Sequence, residues 1–134
     1  MLSTGTSMKV VAIGTGYVGL VTGVCYASLG HDVVCLDIDA DKIARLNAGQ
    51  SPIFEPGLEE RMAQAVDAGK LQFTTDYSSA LKDAQIAIIA VGTPTEAGGS
   101  KANTSFVEAA FTSILDHHSS TLTAVVKSTV PIGT

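Results

Sequence analysis

Residues 8–19 read MKVVAIGTGYVG, a short apolar run that leads directly into three glycines at the spacing G-x-G-x-x-G. The run is rich in β-branched side chains, which predicts a strand buried on both faces of a sheet. Residues 20–30 are mostly small and apolar and end at a glycine, which predicts a helix that stops there. Strand, glycine turn and helix in this order predict the first unit of a fold in which strands and helices alternate.

The glycines Gly14, Gly16 and Gly19 each have a physical task in this context. The first allows the tight turn out of the strand, the second lets the backbone approach a pyrophosphate, and the third lets the helix pack closely on the strand. The N-terminus of the helix then offers free N–H groups and a partial positive charge to the phosphates. Glycines could also serve only to make a sharp turn, but a strand before them and a helix after them favour a dinucleotide site.

Asp37 follows the second apolar run, and it lies 37 − 19 = 18 positions after Gly19. An acid about 20 residues after the glycine motif binds the ribose 2′-hydroxyl in such sites. Its carboxylate would repel the 2′-phosphate of NADP, so the sequence favours NAD. Asp39 is the alternative, because the period-two alternation of a strand puts it on the same face. We interpret Asp41 as a charge at the start of the next helix.

The main alternative ligand is S-adenosylmethionine, whose enzymes also have a glycine-rich first turn and an acid after the second strand. The full three-glycine spacing of residues 14–19 favours a dinucleotide, because it makes room for a pyrophosphate. We therefore predict that NAD is the cofactor.

The rest of the chain repeats the alternation of strand and helix. We predict strands at residues 8–13, 31–39, 70–76, 85–91 and 120–128, and helices at residues 20–30, 40–49, 58–69, 77–84 and 105–118. This order favours an α/β fold, a Rossmann-type doubly wound parallel sheet with strand order 3-2-1-4-5. Its cofactor crevice is expected at the carboxyl ends of strands one and four. We expect the sheet to be truncated before a sixth strand, so that the fifth strand is an edge.

Composition excludes several classes of function. A chain of 134 residues with 46% hydrophobic residues fits one domain with a substantial core. The net charge of −5 argues against nucleic-acid binding, and no apolar run reaches the roughly 20 residues of a membrane span.

We interpret residues 1–7 as a disordered leader before an NAD-binding domain at residues 8–134. Cys25 and Cys35 have neither CxxC nor zinc-site spacing, so we predict two buried thiols in a reducing cytoplasm and no metal site.

The glycine stretch and three further motifs support a resemblance to a known family. The glycine stretch GTGYVGL is followed, in order, by SPIFEPGLEE, VGTPT and KSTVPIGT. Together these motifs resemble the N-terminal NAD-binding domain of the UDP-glucose/GDP-mannose dehydrogenase family, over residues 8–134. The last motif is more similar to the UDP-glucose branch than to the GDP-mannose branch.

The resemblance implies a four-electron oxidation in polysaccharide biosynthesis, in which two NAD⁺ molecules in turn take hydride from C6 of the sugar and UDP-glucose becomes UDP-glucuronate. It implies that Asp37 holds the adenosine ribose with Lys42 nearby, and that Thr129 lies near the nicotinamide and helps to position a water. The remaining cofactor-binding residues that it implies are Gly14, Gly16, Tyr17, Val18, Gly19, Gly92 and Thr93.

Two departures limit what this chain does alone. The family's catalytic FGG-x-C segment is absent, so we expect NAD binding without turnover, and the nucleotide sugar to bind only in the full-length enzyme. Asn103 is expected to cap the helix after it, in a loop where the family often has an acid. Each of these assignments has a simpler structural alternative. Lys42 could be a solvated charge on a helix, and Thr129 could lie at an ordinary strand end. Thr93 and Glu55 could be turn residues.

The function that the sequence favours has two alternatives. One is a dehydrogenase of GDP-mannose or another nucleotide sugar. The other is a non-catalytic NAD-binding module. We expect the protein to be cytoplasmic. We also expect a homo-oligomer, because the edge formed by the fifth strand would leave N–H and C=O groups unpaired.

Overall fold

The computed structural model describes residues 5–134 of the chain, which form five strands and five helices. The strands are β1 (Lys9–Ile13), β2 (Asp32–Leu36), β3 (Leu71–Thr74), β4 (Ile86–Ile89) and β5 (Thr123–Val126), and the helices are α1 (Tyr17–Ser28), α2 (Ala40–Asn47), α3 (Leu58–Asp67), α4 (Tyr77–Leu81) and α5 (Ser105–His117). All strands are parallel, in the order β3-β2-β1-β4-β5. The predicted Rossmann-type sheet and its strand order are therefore confirmed.

Helices cover both faces of the sheet. On one face Val10 and Ala12 of β1 pack in a buried cluster with residues of α1, α2 and α3. On the other face Val11 and Ile13 pack in a second cluster with residues of α4 and α5. Successive side chains of a strand point to opposite faces, so a central strand under helices on both sides must be apolar throughout. Within residues 5–134 no helix is long and apolar enough to cross a membrane.

Strand β5 differs from the central strands, because all four of its residues are exposed. Val125 is in register with Ile88 and Val126 with Ile89, so the two valines point to opposite faces of the sheet. They are 43% and 38% exposed, whereas Ile88 and Ile89 are buried. The outer edge position predicted for the fifth strand agrees with this exposure.

Helix α1 approaches the sheet at Gly23. A Cβ built on Gly23 would lie 2.5 Å from the sulfur of Cys35 on β2, so with any larger side chain either this sulfur or the helix would have to shift. Cys35 is fully buried, and this burial raises the pKa of its thiol to about 12. Cys25 was predicted to be buried as well, and this is wrong: it is exposed on α1. Its neighbour Val24 takes the position that faces the core.

The predicted leader, residues 1–7, is described only from residue 5 onward, and residues 1–4 lie outside the described residues. Ser7 lies against the start of β2, since its hydroxyl is 3.1 Å from the carbonyl oxygen of Gly30 and 3.0 Å from Oδ2 of Asp32. Asp32 also accepts a hydrogen bond of 2.9 Å from Nζ of Lys70. Ser7 is thus exposed but hydrogen-bonded to the start of β2.

Candidate functional site

A cavity of about 470 Å³ opens at the carboxyl ends of β1, β2 and β4. Its walls include Gly14 and Gly16 of the turn after β1, Asp37 after β2, Lys42 on α2 and Gly92 after β4. Volume alone does not single it out, because a groove between α2 and α3 holds about 560 Å³. What distinguishes it is its place where the strand order reverses, which is where open α/β sheets bind ligands.

The glycine turn is crowded at its first and third glycines and open at its second. Gly14 has φ +99°, and a Cβ on it would lie 2.6 Å from the carbonyl oxygen of Ala90. A Cβ on Gly19 would lie 1.8 Å from the carbonyl oxygen of Gly14. Around Gly16 a Cβ would meet no atom within 4 Å. The backbone is thus bare at Gly16, as the pyrophosphate prediction requires.

The third glycine lies where α1 comes close to the ends of two strands. Gly19 was expected to let the helix pack closely on the strand, and a Cβ on it would also lie 3.3 Å from Cβ of Ala90, directly after β4. A second close approach of the helix to the sheet occurs one turn later, at Gly23. Sequence reasoning missed Gly23, because the G-x-G-x-x-G spacing does not reach it.

Helix α1 begins without a side-chain cap, since its N-cap is Gly16 and the first intrahelical bond runs from the N–H of Leu20 to the carbonyl of Gly16. The N–H groups of the first turn are therefore left without an intrahelical acceptor, beside the open backbone of the turn. Such a terminus suits an anion. Tyr17 and Val18, which follow the cap, are 56% and 43% exposed.

Tyr17 connects the start of α1 to the segment before α3. Its hydroxyl donates to Oε2 of Glu55 at 3.2 Å. This hydrogen bond and the negative charge of Glu55 raise the pKa of Tyr17. Glu55, interpreted from sequence only as a turn residue, thus also links residues 51–57 to the glycine turn.

Asp37 is buried at the end of β2, with 8% of its surface exposed. Its Oδ2 accepts the N–H of Thr15 at 2.8 Å and the hydroxyl of Thr15 at 2.7 Å, and its Oδ1 accepts the N–H of Asp39 at 3.0 Å. Nζ of Lys42 lies 3.5 Å from Oδ2. Burial alone would raise the pKa of Asp37, but these hydrogen bonds and the lysine together hold it below its usual range. The carboxyl is therefore ionised at neutral pH.

Asp39, the alternative acid, has a structural task. Strand β2 ends at Leu36, so the alternation of a strand does not continue to Asp39, and the expectation that both acids share a strand face is wrong. Asp39 is the N-cap of α2, and its Oδ1 accepts the N–H groups of Asp41 and Lys42 at 3.0 and 3.1 Å. This use of Oδ1 for capping favours Asp37 as the acid that faces a ligand.

The segments that follow β4 and β5 are joined to each other. The hydroxyl of Thr93 donates to the carbonyl of Thr129 at 2.8 Å, and the hydroxyl of Ser128 donates to the carbonyl of Val91 at 2.7 Å. The structure therefore brings Thr93 and Thr129 together. Of the predicted residues on this side, Gly92 lines the cavity, while Thr93 and Thr129 lie outside its walls.

The sequence profile of the UDP-glucose/GDP-mannose dehydrogenase family, NAD binding domain, matches residues 8–134. The chain belongs to this family. Over 127 residues it is 50% identical to UDP-glucose 6-dehydrogenase from Rhizobium meliloti, which covers 95% of this chain and 29% of that protein.

Solved structures of longer relatives contain the same fold. A UDP-glucose dehydrogenase from Pyrobaculum islandicum matches with a TM-score of 0.86 and 39% identity, over 99% of this chain and 32% of that one. GDP-mannose dehydrogenase from Pseudomonas aeruginosa, solved as a ternary complex, matches with a TM-score of 0.88 and 37% identity, over 94% of this chain and 29% of that one. This dehydrogenase domain thus spans about a third or less of the relatives it matches.

Sequence reasoning missed a buried polar residue in the site of this dehydrogenase domain. Thr15, between the first two glycines, is fully buried and bonds to Asp37. The only signal for it was a hydroxyl residue at the x of G-x-G, which the motif leaves open. It also missed Tyr77 of α4 and Phe106 of α5, which line the cavity and come from helices far along the chain. Asn103 was predicted to cap α5, but the N-cap is Thr104; Oδ1 of Asn103 instead accepts the N–H of Ser105, the first residue of the helix, at 2.9 Å.

Proposed function

We propose that this chain is the NAD-binding domain of a UDP-glucose 6-dehydrogenase, an enzyme that oxidises C6 of UDP-glucose to the carboxylate of UDP-glucuronate with two NAD⁺. The observation that carries the proposal is an ionised, buried Asp37 beside an open glycine turn at one end of the sheet. The chain is 50% identical to a UDP-glucose 6-dehydrogenase and 40% identical to a GDP-mannose 6-dehydrogenase, and this difference favours UDP-glucose as the sugar.

The glycine turn fits the pyrophosphate of NAD. Gly16 leaves open space where a side chain would stand, and the first turn of α1 offers N–H groups that no side chain caps. The phosphate oxygens would accept these N–H groups and lie at the positive end of the helix. Tyr17 and Val18 directly follow Gly16 at the start of α1, and both are exposed.

Asp37 fits the adenosine ribose. A carboxylate that is ionised and held from two segments accepts hydrogen bonds from ribose hydroxyls, and it repels a 2′-phosphate. Lys42 balances part of its charge at 3.5 Å. The chain should therefore prefer NAD to NADP.

NAD⁺ supplies the hydride acceptor when it is bound, and the residues of this chain bind it and orient it. Gly92 and Thr93 follow β4 and Thr129 follows β5, the side of the crevice proposed for the nicotinamide. Thr129 is proposed to position a water there. Neither cysteine suits the nucleophile of this reaction: Cys35 is buried with a pKa of about 12, and Cys25 lies on α1 away from the cavity. The described residues alone are thus expected to bind NAD without turnover.

Calorimetric titration with NAD and NADP tests this proposal, with two acids as a matched pair. Asp37→Asn should weaken NAD binding by about 1–3 kcal/mol, because charge-assisted bonds to the ribose are lost. Asp39→Asn should change it by less than about 0.5 kcal/mol, because asparagine is also a good N-cap. Equal affinity of the unaltered chain for NAD and NADP would remove Asp37 from its assigned role. Formation of NADH by the chain with UDP-glucose would refute the absence of turnover.

We further propose a cytoplasmic, homo-oligomeric protein. Two free cysteines suit a reducing compartment. The exposed strand β5 carries Val125 and Val126 on its two faces, and an exposed edge of this kind pairs with another chain. Sedimentation velocity over a concentration series should show self-association, and Val125→Lys should reduce it. A monomer at all concentrations would contradict this proposal.

A further inference from the structure

Thr15 is a buried polar residue whose two donors converge on one atom. It is fully buried, and its N–H and its hydroxyl both bond to Oδ2 of Asp37, at 2.8 and 2.7 Å. The backbone N–H would make the first bond with any residue at this position. The hydroxyl therefore adds a bond that the glycine turn itself does not require.

The hydrogen bonds of Asp37 leave one oxygen less occupied than the other. An ionised carboxylate has about four acceptor directions, two on each oxygen. On Oδ2 both are taken by Thr15, with Lys42 at 3.5 Å as well. On Oδ1 the N–H of Asp39 takes one. The direction that remains for a ligand is thus on Oδ1, in a residue that lines the cavity.

The hydroxyl of Thr15 also helps to hold the plane of the carboxylate, together with two backbone N–H groups. The last torsion of an aspartate side chain is broad, so the rotamer alone does not fix this plane. Three donors from two segments, the glycine turn and the start of α2, fix it here. Without the hydroxyl, Oδ2 would have a vacant acceptor direction and the nearby ammonium of Lys42 could draw the carboxylate out of its plane.

We propose that Thr15 is a positioning residue for cofactor recognition: its hydroxyl holds the Asp37 carboxylate so that Oδ1 presents its open acceptor direction to the 2′-hydroxyl of the adenosine ribose. The inference rests on the proposed NAD site and deepens it. The below-usual pKa of Asp37, to which the Thr15 hydroxyl contributes, agrees with it.

This role is tested by calorimetric titrations in which both the side chain at position 15 and the ligand are varied. The unaltered chain, Thr15→Val and Thr15→Ser are each titrated with NAD and with 2′-deoxy-NAD, which lacks the hydroxyl that Asp37 would bind. Thr15→Val should bind NAD about tenfold more weakly, the factor that one hydrogen bond to a charged group gives. Its affinity for 2′-deoxy-NAD should be within about twofold of that of the unaltered chain. The Thr15 hydroxyl is coupled to the ribose 2′-hydroxyl through Asp37, and this ligand lacks that hydroxyl. Thr15→Ser keeps the hydroxyl and should stay within about twofold for both ligands.

Each other outcome has a definite meaning. An equal loss for both ligands in Thr15→Val, or no loss for NAD, overturns the positioning role. Equal binding of NAD and 2′-deoxy-NAD by the unaltered chain also overturns it, while leaving NAD binding intact. No NAD binding by the unaltered chain refutes the proposed function itself. If circular dichroism shows that Thr15→Val does not fold, Thr15→Ala replaces it, and failure of both to fold overturns the proposal in favour of a purely structural threonine.

Discussion

The two sides of the cofactor crevice are built in different ways. On the side of β1 and β2, Thr15 and Asp37 are buried and the backbone of the glycine turn is in close contact at Gly14 and Gly19. On the side of β4 and β5, the strand β5 is exposed and the loops after both strands are joined by side-chain bonds to carbonyls. The first side is therefore fixed by packing, and the second by a few hydrogen bonds near solvent.

This difference predicts how each side responds to mutation. A change on the first side should act through the fold as well as the ligand, because its neighbours are buried backbone atoms that cannot move aside. A change on the second side should stay local, since exposed hydrogen bonds contribute little net stability. Four predictions break or sharpen this comparison.

The largest effect is expected for Gly19→Ala. The new Cβ would lie 1.8 Å from the carbonyl oxygen of Gly14, so the turn must move. We expect the free energy of unfolding to fall by more than about 3 kcal/mol, measured by denaturant titration. Gly16→Ala is the matched control: its Cβ meets nothing within 4 Å and its φ is −73°, so stability should change by less than about 1 kcal/mol. Similar losses in both variants would show that crowding at Gly19 is not what fixes the turn.

Gly16→Val separates the ligand from the fold on the same side. The valine would extend into the open space proposed for the pyrophosphate, and its Cβ would meet no chain atom within 4 Å. We expect a folded chain by circular dichroism whose NAD affinity in calorimetry falls by more than about 3 kcal/mol, as for an overpacked site. A folded variant with unchanged affinity would place the phosphates elsewhere.

The sequence predicted this first side better than the second for a physical reason. Gly14 and Gly16 and the offset to Asp37 are local constraints of one strand, turn and helix, and local geometry is readable from spacing. Gly23 and Thr15 depend on which atoms of β2 lie opposite, and that is known only once the sheet is assembled.

The errors in prediction have the same origin. Asp39 was assigned to a strand face by alternation, but a side-chain cap competed with the strand and ended it at Leu36. Cys25 was assigned to the core by residue type, although its place on α1 faces outward. On the second side, the contact of Thr93 with Thr129 joins two loops 36 residues apart, which no spacing rule predicts.

The third prediction concerns the pH dependence of the first side. The folded-state pKa of Asp37 lies below its ordinary value of 3.8, so its carboxylate contributes stability that is fully present above that value. The contribution is lost as pH falls below 3.8 and through the lower folded pKa. The difference in unfolding free energy between the unaltered chain and Asp37→Asn should therefore be constant near neutral pH and shrink in acid. A difference that grows as pH falls would mean that the carboxyl is protonated in the folded chain.

The smallest effect is expected on the second side, from Thr93→Val. This variant removes a hydroxyl that bonds to the carbonyl of Thr129 at 2.8 Å, in a contact exposed to solvent. Water can replace the lost donor, so we expect the free energy of unfolding to fall by less than about 1 kcal/mol. The same substitution at Thr15 leaves a charged oxygen short of a donor inside the protein, and should cost about 1.5–3 kcal/mol. Denaturant titration of the two variants side by side measures the contrast directly. If Thr93→Val destabilises the chain as much as Thr15→Val, the loops after β4 and β5 are as firmly built as the glycine turn, and the two sides of the crevice do not differ in the way their exposure indicates.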